Sequence, residues 1–107
     1  IYISNDANLV ADIDVLDLMI FASGKSRIIL TGSTHYQTAN ISTAEYDASR
    51  LETISTITEA SHNAIAKVDA VERLEAKTST GGKIFYRSQP VILRSEVTLF
   101  GGEIKRL

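Results

Sequence analysis

The 107-residue chain contains no cysteine. That excludes disulfides, thiolate zinc sites and cysteine nucleophiles, and it leaves the compartment open. No run of about 18 apolar residues exists, so no segment is expected to cross a bilayer. Neither sign of charge is in excess: 11 Lys and Arg stand against 13 Asp and Glu, for a formal net charge of -2. Nothing electrostatic therefore points to nucleic acid or an anionic membrane surface, and no nucleic-acid partner is expected. Serine-nucleophile and phosphate-loop patterns are also missing, since there is no GxSxG, and Gly81-Gly82 and Gly101-Gly102 lack the lysine register and following helix of a P-loop. No cofactor, metal site or catalytic residue is assigned.

What is present is an ordinary globular composition, 44% apolar and 22% charged, enough to build one modest core and too apolar for disorder. It is ordered as a repeat. Blocks opening at Ser4, Ser23, Ile41, Glu59, Ser79 and Leu99 follow one another at intervals of 18 to 20 residues. Five places into each block stand Leu9, Ile28, Tyr46, Ala64, Ile84 and Ile104, and seven places in stand Ala11, Leu30, Ala48, Ala66, Tyr86 and Arg106. The place between the opening and these columns is polar throughout: Asn8, Arg27, Glu45, Asn63, Lys83 and Glu103. Apolar columns two residues apart are what a strand requires, because its side chains alternate faces. A weaker pair of inward columns precedes each opening, at Leu18, Tyr36, Ile54, Leu74 and Arg94, and at Ile20, Thr38, Thr56, Ala76 and Glu96.

Each block thus reads as strand, tight turn, strand, turn. The interval is too short for a strand plus crossover helix, which takes about 30 residues. It suits an all-β, single-stranded parallel β-helix, expected right-handed, with coils of about 18–20 residues stacked one strand spacing apart. The stretch AIAKVDAVERLEAK (64–77) is rich in helix formers. The repeat overrides that propensity and places strands there, with a bend near Asp69. Pro90, the single proline, marks a loop or a strand start.

Several side chains invite a functional reading. Opposite charges on adjacent coils, Arg27 with Glu45 and Lys83 with Glu103, are expected to pair across the ladder. The outward place six residues into each block holds Val10, Ile29, Asp47, Ile65, Phe85 and Lys105, and Phe21, Ala39 and Ile57 are read as outward on the second strand. Outward apolar stripes suggest a covering segment or an interface; Phe21, Ile29, Ile57, Ile65 and Phe85 are the interface candidates. His35 and His62 belong to no ligand spacing, and Asp12, Asp14 and Asp17 lack the calcium-loop pattern. Glu45 and Asp47 are the kind of carboxylate pair a glycosidase uses, though any chain with 13 acidic residues supplies such pairs. Asn40-Ile41-Ser42 matches the short glycosylation sequon.

The run from His62 to Leu107 carries a family pattern: Leu74, then Ser79 to Gly82, Lys83-Ile84-Phe85-Tyr86, Pro90 and Gly101-Gly102-Glu103-Ile104-Lys105. It resembles the C-terminal part of the family known as putative auto-transporter adhesin, head GIN domain (DUF2807), whose blocks run Leu, SGGG, K-I-x-Y, G-x-P and a final glycine-rich IKK. ASGKSRIILTG and STAEYDASRLE resemble the preceding repeats. Ser88 replaces the usual glycine before the proline, and Thr80, Ala60 and Ser42 replace turn glycines, which affects turn geometry. The resemblance implies a parallel β-solenoid from bacterial proteins that are periplasmic, on the cell surface or secreted, with no catalytic motif to carry over. The chain is expected to be one domain over 1–107, the C-terminal part of a longer one, because Ile1 starts in mid-pattern. A homo-oligomer or a covering segment is expected at its N-terminal end. Three functions are in contention: a non-enzymatic module for adhesion or scaffolding that binds an envelope protein or glycan, a carbohydrate-active β-helix enzyme, and a self-assembling structural solenoid.

Overall fold

The computed structural model describes residues 2–3, 8–98 and 102–107. Every element among them is a β-strand, and every pairing is parallel. Strands β1 (Tyr2–Ile3), β2 (Asn8–Ala22), β3 (Arg27–Ser42), β4 (Glu45–Ser61), β5 (Ile65–Ser79) and β6 (Gly82–Tyr86) stack in chain order. The fifth coil is divided: β6 covers the first part of β5, and β7 (Ile92–Thr98) covers the last part. A loop holding Pro90 lies between them, and β8 (Gly102–Arg106) then stacks on β6. The result is a β-solenoid of about five turns.

The register runs Leu9, Ile28, Tyr46, Ala66, Ile84, Ile104. The expected column is therefore right except at its fourth member, where Ala66 stands in place of Ala64. β5 is moved along by two residues: one is the extra residue that β4 takes in at the irregularity between Ile29 and Thr31 of β3, and one is the longer turn, 62–64 against 43–44. Ala64 and Ala66 are both fully buried, so the inward pattern alone could not separate them. In the second inward column the register is Leu18, Gln37, Thr56, Leu74, Leu93. Tyr36, Ile54 and Arg94 do not occupy it. Tyr36 and Arg94 are exposed, one residue out of phase, which in a strand means the other face. The companion column is Ile20, Ala39, Thr58, Ala76, Ser95. Ala39, expected outward, is in fact buried in it, while Thr38 and Glu96 lie off it.

β5 is the helix-prone stretch, and it is a continuous strand. Backbone pairing to β4 on one side and to β6 and β7 on the other outweighs its intrinsic preference. The bend expected near Asp69 appears as register irregularity: Asp47 pairs with Lys67 but Glu52 with Asp69, so four residues of β4 face one of β5.

The core is narrow. Ile20, Ile28, Leu30, Ile41, Leu51, Leu74 and Ile84 fill it, spaced by small alanines that let the opposing walls approach. One corner is polar. The Gln37 amide nitrogen donates to the Tyr46 hydroxyl, and the Thr56 hydroxyl donates to Gln37 Oε1 at 3.3 Å. Thr53, beside Thr56, donates to the Asp69 carbonyl at 2.9 Å. Burial pushes the Tyr46 phenol well above its ordinary pKa, and the Gln37 hydrogen bond offsets only part of that. Two glycines have no substitute. A Cβ on Gly32 (φ +112°) would sit 2.0 Å from the Ile13 carbonyl oxygen, and one on Gly82 would sit 2.3 Å from that of Ala60. Gly81 supplies the positive φ, 80°, of the turn before β6.

Candidate binding face

Alternation along the first part of each coil leaves two outward columns beside the buried one. The first reads Asn8, Arg27, Glu45, Ile65, Lys83, Glu103, and the second Val10, Ile29, Asp47, Lys67, Phe85, Lys105. Ile65 was expected in the second column. The two-residue shift of β5 moves it into the first and brings Lys67 opposite Asp47. Ile29, Ile65 and Phe85 nonetheless line one open groove of about 560 Å³, together with Arg27, Glu45, Asp47, Lys67 and Leu107. The three apolar side chains are half-buried, and Asp47 and Lys67 stand between Ile29 and Phe85 in the second column.

The charges are held in place. Arg27 reaches Glu45 through both Nε and Nη2, each 3.1 Å from Oε2, as the stacked columns predict. The second expected pair does not form. Lys83 stands opposite Glu103 on the ladder, but Glu103 pairs with Lys105 of its own strand at 3.2 Å. At Asp47, burial alone would raise the carboxyl pKa. The Ser49 hydroxyl (2.7 Å) and amide (3.1 Å) donate to it, and with Lys67 and Arg50 nearby the net effect is to hold it below its usual value. A carboxyl kept ionised this way does not fit the general-acid half of a glycosidase pair, whose pKa is raised.

The other two candidates lie elsewhere. Ile57 is exposed and Phe21 half-buried on the last part of the coil. Ile57 borders a smaller depression of about 370 Å³ with Glu59, Glu75, Lys77, Arg94 and Glu96. The interface candidates thus divide between two faces. Lys67 and Leu107 were not identified from the sequence. Lys67 was hidden by the two-residue shift of β5, and Leu107 reaches the groove because its amide continues the ladder to the Tyr86 carbonyl at 2.8 Å.

Both histidines are exposed. His35 meets Tyr36 edge to face, and His62 Nδ1 lies 3.2 Å from the Ser42 hydroxyl across one coil. Asp12, Asp14 and Asp17 are exposed along β2. Among the described residues no group of three or more His, Cys, Asp or Glu side chains is placed to hold a metal ion. No helix of the described residues is long and apolar enough to cross a membrane.

The model of one protein family, described as putative auto-transporter adhesin, head GIN domain (DUF2807), matches residues 1–90. The match includes the groove strands β2 to β6 and ends before the Gly101–Lys105 segment. Searches of curated proteins and of solved structures returned no match.

Proposed function

The chain belongs to the DUF2807 family of auto-transporter adhesin head domains, and from that premise we propose that it is a non-catalytic module of the bacterial cell envelope or surface. It acts in adhesion or scaffolding by engaging a protein or glycan through its exposed strand faces. The family match over residues 1–90 carries this reading. The groove supports it. Half-buried Ile29, Ile65 and Phe85 give apolar contact area, and the Arg27–Glu45 pair, Asp47 and Lys67 set charges among them, the mixture of groups a polar contact surface carries. Periplasmic, surface-attached and secreted placements all fit such a module.

The test is binding of the purified chain to a panel of envelope polysaccharides and outer-surface proteins, measured by biolayer interferometry. Saturable binding is expected, weakened about tenfold or more by Phe85→Ala, which removes the aromatic side chain of the groove. A panel without binding, or a Phe85→Ala variant that binds like the parent, overturns the assignment.

A further inference from the structure

We infer that the groove face is a self-association surface, whose partner is a second copy of this chain related by a two-fold axis. The inference rests on the reading of this face as a contact surface and names its occupant. Its basis is the order of side chains in the second outward column. Across β3, β4, β5 and β6 that column reads Ile29, Asp47, Lys67, Phe85: apolar, negative, positive, apolar. A two-fold axis parallel to the strands, passing between β4 and β5, reverses the order of the coils and keeps each column against itself. Asp47 then meets Lys67 of the second copy, and Lys67 meets its Asp47. Ile29 meets Phe85, and Phe85 meets Ile29.

Such self-complementarity is the requirement of an isologous contact. The four charges close into a ring of alternating sign, since Lys67 already lies near Asp47 within one copy. Ile29 and Phe85 are half-buried at the groove, so the contact finishes a burial the monomer leaves incomplete. In the first column Glu45 faces Ile65, and Asn8 faces Glu103. In the second column Val10 faces Lys105, and one juxtaposition sets like charges together, Arg27 against Lys83. Both are exposed, and Arg27 is already neutralised by Glu45. The axis running along the solenoid instead would set Glu45 against Asp47, so the antiparallel stacking of coils is selected. Four coils at about 4.8 Å spacing span only about 15 Å, well under a standard interface, so the dimer is weak and its formation depends on concentration.

Charge reversal tests this directly by sedimentation velocity up to about 1 mM. The parent is expected to pass from monomer to dimer. Asp47→Lys alone and Lys67→Asp alone are each expected to stay monomeric, because each sets like charges face to face. Mixed one to one, the two variants are expected to dimerise, since every cross-pair is again opposite in sign. Lys83→Glu is expected to tighten the parent dimer roughly threefold or more by replacing the one repulsion with a pair to Arg27. A parent that stays monomeric, a mixture that stays monomeric, or single variants that dimerise like the parent overturns the inference. If the reversals unfold the chain, as circular dichroism would show, Lys83→Glu decides alone, and unchanged or weaker association refutes it. A monomeric parent that still binds an envelope polysaccharide or surface protein would refute this inference and leave the adhesion reading standing. A dimer that binds nothing on the panel would do the reverse.

Discussion

Tyr46→Phe removes one hydroxyl from the middle of the core, and the structure sets what that should cost. The hydroxyl accepts a hydrogen bond from the Gln37 amide nitrogen, and both residues are almost fully buried. The other end of the Gln37 amide, its oxygen, accepts from Thr56 and so holds the amide in this orientation. The substitution therefore loses a hydrogen bond and strands a buried donor, a cost of about 1–3 kcal/mol. Gln37→Met strands the Tyr46 hydroxyl and also removes the acceptor of the Thr56 hydroxyl, so it should cost at least as much. Combining the two removes the Gln37 donor and the Tyr46 acceptor together, so the double variant should lie close to Gln37→Met alone and well short of the sum of the singles. Urea unfolding followed by circular dichroism gives all three values, with an unchanged slope expected in each. Alkaline pH supplies a check. A phenol whose pKa is raised on folding contributes stability that is complete below its unfolded value of 10.0 and is lost as pH rises beyond it. Stability should thus fall more steeply above that pH in the parent than in Tyr46→Phe. Additive costs in the cycle, or a Tyr46→Phe variant as stable as the parent, would show that the buried pair does not bear on the fold.

Two further substitutions test the stacking itself. Ile84→Asp puts a carboxylate where the side chain is fully buried between Ala66 and Ile104, and no folded protein is expected, because the desolvation cost rivals the whole stability of about 5–15 kcal/mol; a melting temperature within a few degrees of the parent would sink the inward column. Gly32→Ala should destabilise by at least about 3 kcal/mol, since its methyl would collide with the Ile13 carbonyl at a positive φ, and chemical denaturation showing less than about 1 kcal/mol would mean that β2 and β3 do not approach as described.

The solenoid was legible because its strongest signal is collective. Leu9, Ile28, Tyr46, Ile84 and Ile104 fall in one register in both the sequence and the structure, and that agreement outweighed the helix propensity of 64–77. The second inward column was far less legible for a chemical reason. Its true members include Gln37 and Thr56, polar residues buried because they satisfy one another. A search for apolar residues passes over them to Tyr36 and Ile54. The corners hid the rest. Turns and bends of unequal length, such as the one where Asp47 caps Ser49, shift the register with no composition change to mark the shift.

Those shifts affect the two sides of a strand differently. A slip of one residue exchanges inside for outside, as it did for Ala39. A slip of two keeps the face and changes only the neighbours. Inward, the second error costs little: Ala64 and Ala66 are both buried, and either satisfies the column. Outward, neighbours are the chemistry. Placing Ile65 beside Ile29 and Phe85 suggests an apolar stripe, whereas the true order puts Asp47 and Lys67 between those two residues. That substitution turns a featureless stripe into a self-complementary sequence of side chains. Packing constrains the inward columns of a solenoid in every coil, and nothing repeats the constraint outward, so a fold of this kind can be read from sequence while its contact surface depends on a register that only the pairing of β4 with β5 supplies.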